Sequence, residues 1–374
     1  MSATHSSVRT SATTGSAKSR SASKARVQLF HGPSRSFELH QQDLPRDIAE
    51  DEVLVRISLA TICGSDLHTI DGRRSAPTPC ILGHEAVGVV EASGRPGIAP
   101  GMRVTWSLAD SCGHCPACEQ WRLPQKCDQL FKYGHAALSD GTGLNGCYAS
   151  HILLRPGTAV LPVPDSLPDA VIAPANCALA TVASALGELP SPCHSAWVQG
   201  GGLLGLYACA WLRHQGVEKV FCSDIQPQRL ELVREFGGIP LLTNADTWQA
   251  SREVLEHECR GGVDLVVEVT GSSAVVPHGV EMLRPGGMYV WAGMVHPETA
   301  LHLTGEAVIR KCLTIRGMHN YAPVHLQQGI TFLESTLARL PYEKLVGPAL
   351  PLASLDEAIA LTRTREWQRV AVKP

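Results

Sequence analysis

The chain has 374 residues, 44% of them hydrophobic and 18% charged, with a mean hydropathy of +0.01; that length exceeds one ordinary core and predicts two domains. A formal net charge of -3 and a pI near 6.6 exclude nucleic acid or a membrane surface as an electrostatically driven partner. No apolar run approaches the ~20 residues of a membrane helix.

Residues 1–24 are rich in Ser, Ala and Thr and carry no acidic side chain, the composition of a disordered tail. An organelle transit peptide has the same signature, and an extended start site would also leave such a stretch. No secretory signal is recognisable, so most of the thirteen cysteines are expected as thiols in a reducing, cytoplasmic setting. Order is predicted from about Arg26. Strand-like runs follow at 27–30, 37–39 and 52–60, the last alternating and running straight into Cys63. Turn residues mark a loop at 71–79, and strands are predicted at 85–92 and 100–106. Short strands at this spacing predict a β-rich, barrel-like first domain.

From Trp197 strands and helices alternate: a strand end at 197–199, an apolar helix at 206–212 closed by Gly216, and strands at 219–224, 263–269 and 287–293. That pattern predicts a doubly wound parallel sheet, and an α/β fold class for the chain. After about Tyr321 helices are predicted at 326–340 and 355–362, and a last strand at 369–372, which should pack back on the first domain. The expected division is residues 25–180 and 322–374 in one domain and 181–321 in the other.

Three constellations carry chemistry. Cys63, Ser65, Asp66 and His68 are followed by His84 and Glu85. Cys and His are preferred zinc ligands, and a catalytic zinc takes three protein ligands and keeps one open position. Gly200, Gly202 and Gly205 fit G-x-G-x-x-G between a strand and a helix, with Asp224 ending the next strand. Those glycines let the backbone approach a pyrophosphate at a helix N-terminus, and Asp224 should bind the adenosine ribose and repel a 2′-phosphate, favouring NAD over NADP. A strand–turn–helix with no ligand is the plainer alternative. Cys112, Cys115, Cys118 and Cys127 have the spacing of a closed structural zinc site; redox cysteines are the alternative there.

Together these motifs resemble the zinc-containing medium-chain dehydrogenase/reductase superfamily of the alcohol dehydrogenase type. The first motif is closest to the polyol and threonine dehydrogenase branches. The resemblance implies a GroES-like catalytic domain and a Rossmann cofactor domain, two zinc ions per chain and NAD. It matches Cys63, His84 and Cys177 to the catalytic zinc, where polyol enzymes often have Glu at the third position. Glu85 matches a residue that can approach the metal, Asp66 one that orients the ligand imidazole, and Thr181 one beside the nicotinamide. Ser65 and His68 match the proton relay; a turn hydroxyl and a surface imidazole are the plainer readings. Cofactor contacts are implied for Leu203, Leu204, Arg229 and Val269. Gly64 stands where some relatives carry a basic residue on the cofactor phosphate, a contact expected here from Arg369. The last structural cysteine comes after eight intervening residues, where the family usually has seven.

By analogy Trp106, Leu108 and the Arg73–Arg74 loop should border the substrate, although Trp106 also suits a core and the arginine pair a solvated loop. Residues 61–69 and 131–135 also resemble members associated with phosphonate catabolism, whose anionic group an arginine fork would suit. The expected function is oxidation of a small primary or secondary alcohol, polar or anionic, in a homodimer or homotetramer. A polyol or threonine dehydrogenase is the alternative within the class, and a non-catalytic nucleotide-binding protein the alternative outside it.

Overall fold

A computed structural model describes residues 23–295 and 299–374. The expected tail, residues 1–24, lies outside them but for its last two residues. No helix among the described residues is long and apolar enough to cross a membrane.

Two large sheets organise the chain. The first is curled and antiparallel at its centre, in the order Val346–Pro351, Arg369–Lys373, Val53–Thr61, Glu85–Ser93, Arg103–Asp110, Phe131–Lys132. His151–Leu154 and Thr158–Pro162 pair onto its flanks. Alternation in Val53–Thr61 puts Val53, Val55 and Ile57 into a core with Val104, Trp106 and Tyr133. Val346–Pro351 and Arg369–Lys373 join this sheet from the far end of the chain, the latter by antiparallel pairing with Val53–Thr61.

The second sheet is parallel throughout. Its order is Ile239–Leu242, Lys219–Asp224, Ser195–Gln199, Val263–Glu268, Leu283–Trp291, Thr314–Gly317, the doubly wound arrangement. Strand order reverses beside Ser195–Gln199, and ligands settle at the carboxyl ends of strands at such a point. The helix Leu203–His214 is apolar nearly all round because it is sandwiched. One face covers the sheet, and Trp211 on the other meets Phe332 of the helix Pro323–Thr336 at 4.9 Å. The same helix closes on Ala178–Ala185 so tightly that a Cβ on Gly329 would lie 3.3 Å from Leu179 Cγ. These helices form one core joining the two sheets.

Two sequence expectations shift here. The helix expected at 326–340 runs from Pro323 to Thr336. Proline is pre-set for a first turn, while Leu337 and Leu340 keep the apolar period by packing on the same core beyond the helix end. Residues 64–70, read as a motif without secondary structure, form a helix. Its weak helix formers are held by the Asp66 carboxylate, which accepts the Cys63 N–H at 2.9 Å.

Candidate metal and nucleotide site

Cys63 follows the strand Val53–Thr61 and caps the helix Gly64–Ile70, while His84 immediately precedes, and Glu85 opens, the adjacent strand Glu85–Ser93. Cys177 precedes the helix Ala178–Ala185. These four side chains bring one ligand atom each within 4.8 Å of all the others. The Sγ atoms of Cys63 and Cys177 lie 4.0 Å apart, close to the about 3.8 Å separation expected of two thiolates on a tetrahedral zinc with bonds of about 2.3 Å. Asp66 is fully buried beneath the site. It faces His84 Nδ1 at 3.3 Å and accepts a 2.8 Å bond from the Tyr148 hydroxyl. The His84 ring is therefore oriented with Nε2 outward, 3.4 Å from Ser65 Oγ.

The electrostatics fit a cation. Burial opposes a charged His84, yet Asp66 and Cys63 beside it lift its pKa to about 10. The Cys177 thiol hydrogen bond holds Cys63 well below its usual range, and that same bond together with burial pushes Cys177 up. A lowered Cys63 thiol, a raised Cys177 thiol and the Asp66 carboxylate thus crowd one buried site, where a zinc ion bound to both sulfurs would favour both as thiolates.

Glu85 is tied to the protein. Thr61 donates to its Oε2 at 2.7 Å, and Arg369 forms a buried fork to both oxygens at 2.8 and 2.9 Å. Burial raises its pKa to about 7 against the pull of Arg369. Arg369, expected on a cofactor phosphate, spends its guanidinium on Glu85 and on Cys63 Sγ at 3.5 Å, because a buried cation needs a carboxylate partner. Its side chain still lines the cleft described below.

The second cluster contains all four expected cysteines, Cys127 included, again within 4.8 Å of one another. Cys115 Sγ lies 3.5 Å from Cys118 Sγ and 3.9 Å from Cys127 Sγ. The lobe's own core is only the cysteines with Ala117 and Leu130, so a closed thiolate site suits it.

The nucleotide loop follows Ser195–Gln199. Gly200 has φ +117°, and a Cβ on Gly205 would lie 1.8 Å from the Gly200 carbonyl oxygen. Around Gly202 a Cβ would meet nothing within 4 Å, leaving open space at the N-terminus of Leu203–His214. The Asp224 carboxylate accepts the Gly201 N–H at 2.9 Å and stands 3.5 Å from Arg229. Val269 packs behind Gly200, and Leu204 lies on the helix next to Leu203. A cleft of about 650 Å³ takes in His68, Arg73, Gly202, Leu203, Arg229, Thr270 and Arg369. It connects the surroundings of the first metal cluster with the nucleotide loop.

Other expectations divide. Thr181 lies one turn into Ala178–Ala185, its N–H bonded to the Cys177 carbonyl at 3.0 Å. Trp106 does not border an open pocket: it is fully buried among Val104, Phe131 and Tyr133. Its carbonyl, with that of His84, holds Asn176 Nδ2 at 3.1 Å. Leu108 is nearly buried, and its N–H donates to the Tyr321 hydroxyl, which in turn donates to the Asn176 carbonyl. The arginine pair splits: Arg73 pairs with Asp71 at 2.9 Å, whereas Arg74 has no ion pair among the described residues. Tyr148, Asn176 and Tyr321 were missed; only Asn176, adjacent to Cys177, carried a positional signal.

Comparison with known proteins agrees with this geometry. The family described as Alcohol dehydrogenase GroES-like domain matches residues 49–165, and that described as Zinc-binding dehydrogenase matches 204–335. An L-threonine 3-dehydrogenase of Deinococcus deserti is 31% identical over 74% of this chain and 78% of its own length. The chain belongs to the zinc-containing medium-chain dehydrogenase/reductase family. A D-arabinitol dehydrogenase of Uromyces fabae is 24% identical, covering 92% of this chain and 96% of its own. A solved alcohol dehydrogenase from Thermotoga maritima superposes with TM-score 0.87 at 30% identity, over 94% of this chain and 99% of its own. This family member is an oxidoreductase acting on CH–OH groups, with zinc and a nicotinamide nucleotide as cofactors.

Proposed function

We propose that the chain oxidises a small polar alcohol with NAD, using Cys63, His84 and Cys177 as the catalytic zinc ligands and the four-cysteine lobe as a structural zinc site. One observation carries the reading: a single cleft connects the metal cluster's surroundings with Gly202 and the strand-reversal point. Zinc bound there would act as a Lewis acid on the substrate oxygen, and the nicotinamide would take up the hydride. Ser65 Oγ lies 3.4 Å from the outward nitrogen of His84, which supports the reading that it would hold the proton leaving the alcohol. His68 follows on the same short helix and lines the cleft, where that proton can pass toward water. Asp224 supports NAD over NADP, since its charge opposes a 2′-phosphate.

The relatives named for threonine and arabinitol support a polar alcohol. The outer strand Thr314–Gly317, preceded by exposed Leu301 and Ile309, supports a homodimer or homotetramer. All thirteen cysteines are free, which supports a reducing compartment such as the cytoplasm.

The test is nicotinamide reduction by zinc-loaded protein over neutral alcohols, polyols, L-threonine and phosphonate alcohols, with NAD and NADP in parallel. NAD is expected to be favoured roughly tenfold or more, which is on the order of 1.4 kcal/mol. Equal rates with NADP would remove the specificity, and no turnover of any alcohol would remove the reaction.

A further inference from the structure

The carboxyl end of the strand Val263–Glu268 holds a charge that no cation balances. Glu268 is fully buried and forms no ion pair among the described residues. Its partners are donors from two loops. Oε1 accepts the Thr270 N–H at 2.5 Å, the Thr270 hydroxyl at 2.8 Å and the Gly271 N–H at 2.6 Å. Oε2 accepts the Gly293 N–H at 3.2 Å, from the loop that follows Leu283–Trp291. A carboxylate only accepts, so such a ring of donors suits it, yet burying an ion without a counter-charge is costly. An apolar side chain would pack the same space without that penalty.

What the carboxylate holds is a wall of the cofactor cleft. The two loops meet backbone to backbone: a Cβ on Gly293 would lie 2.7 Å from the Gly271 nitrogen and 2.7 Å from the Val269 carbonyl carbon. Gly271 has φ +77°, a left-handed turn that suits glycine and returns its N–H to Glu268. Thr270 abuts the nucleotide loop, since a Cβ on Gly200 would lie 3.1 Å from Thr270 Cγ2 and 3.3 Å from its nitrogen. Thr270 also lines the cleft together with Gly202 and Leu203. The same segment is pinned further along by Gln199. Its Nε2 donates to the Val275 carbonyl at 2.9 Å, and its Oε1 accepts the Tyr289 hydroxyl at 2.6 Å.

Strand order decides which end of a dinucleotide meets this wall. Asp224 places the adenosine ribose beside Lys219–Asp224, and Gly202 places the diphosphate at the strand-reversal point. Val263–Glu268 pairs with the opposite side of Ser195–Gln199. The nicotinamide half therefore extends toward Thr270, Gly271 and Gly293.

We propose that Glu268 is a positioning residue: by clamping the loops 269–271 and 292–294 together, it preforms the surface on which the nicotinamide half of the cofactor seats. This rests on the nucleotide-site reading above and is independent of which alcohol is oxidised. Glu268 acts through Thr270, Gly271 and Gly293 and takes no part in proton or hydride transfer.

The test uses the zinc-loaded full chain and the variants Glu268→Gln and Thr270→Val. Calorimetric titrations are run with NADH and with ADP-ribose, which lacks only the nicotinamide ring. Glutamine keeps one acceptor oxygen but turns an amide N–H2 on an N–H of one loop, donor against donor. Glu268→Gln is expected to weaken NADH roughly tenfold or more and to leave ADP-ribose within about twofold, because one buried donor loses its acceptor. KM for NAD should rise and kcat should fall. Hydrogen exchange in the nucleotide-free variant should quicken at 269–272 and 292–295. Thr270→Val keeps the side-chain shape and removes one bond to Glu268, and should show the same selectivity to a smaller degree even if Glu268→Gln fails to fold. Equal losses for NADH and ADP-ribose would reveal a general role in the fold, and unchanged NADH affinity would reveal none; either result overturns the inference. Wild-type protein that binds ADP-ribose as tightly as NADH also overturns it, and wild-type protein that binds neither overturns the nucleotide site with it. A selective loss of NADH in a protein that oxidises no alcohol keeps the inference and overturns the proposed alcohol oxidation instead.

Discussion

Asp66 shows how one side chain can serve local structure and chemistry together. Its carboxylate caps the helix that carries Ser65 and His68, and it also turns His84 toward the metal position. Asp66→Asn keeps the shape and removes the charge behind the imidazole. It is expected to weaken zinc at Cys63, His84 and Cys177 by on the order of 10–100-fold, leaving the four-cysteine site loaded. Competition with a chromogenic chelator would show one of about two zinc ions becoming labile; unchanged release of both would refute the role. At this scale Cys63 and His84 were legible as a candidate ligand pair because they lie close in sequence, whereas Cys177, which the fold brings to the same cluster, was implied only by the family resemblance. Tyr148, which completes the carboxylate's bonding, is 82 residues from Asp66 and carries no spacing signal. Arg369 was read from a missing basic residue at Gly64, and that reasoning could not see Glu85 waiting for a buried partner.

At the scale of elements, the nucleotide loop separates two uses of glycine. Gly205 is needed where helix meets strand, since any Cβ would strike the Gly200 carbonyl. Gly202 faces open space, so its bareness serves the ligand and not the fold. Gly205→Ala is expected to cost on the order of 1–3 kcal/mol in urea unfolding. Gly202→Ala should stay within about 0.5 kcal/mol of the parent yet bind NAD more weakly in a fluorescence titration. Similar stability for both variants would contradict the distinction. The strand–turn–helix was legible because its signals are contiguous. The helix Ala178–Ala185 was not, because its role is to pack between other helices, and small residues such as Ala180 and Ala183 announce no period. Trp106 was ambiguous for a related reason: a large aromatic suits a pocket wall as well as a core, and only the closed contacts with Tyr133 and Phe131 decide between them.

For the whole molecule, the two cysteine-containing clusters would, with zinc bound as proposed, divide labour between chemistry and architecture. The four-cysteine lobe has almost no apolar core, so stripping its metal with a strong chelator should make residues 112–130 sensitive to limited proteolysis. The helices joining the two sheets should resist under the same conditions, and uniform digestion of the chain would show that the lobe needs no metal. The overall α/β architecture was legible from the change in periodicity at Trp197. The way the chain closes on itself was less so: Arg369–Lys373 lies between Val346–Pro351 and Val53–Thr61, and Arg369 reaches the cluster begun more than three hundred residues earlier. Synthesis proceeds from the N-terminus, so a nascent chain can fold most of both sheets while the carboxylate beside its first metal cluster still lacks its counter-ion. Arg369, more than three hundred residues after Cys63, supplies it. A chain cut before Arg369 would therefore carry the parallel sheet with an electrostatically unfinished cluster, because Glu85 would lack its buried counter-ion.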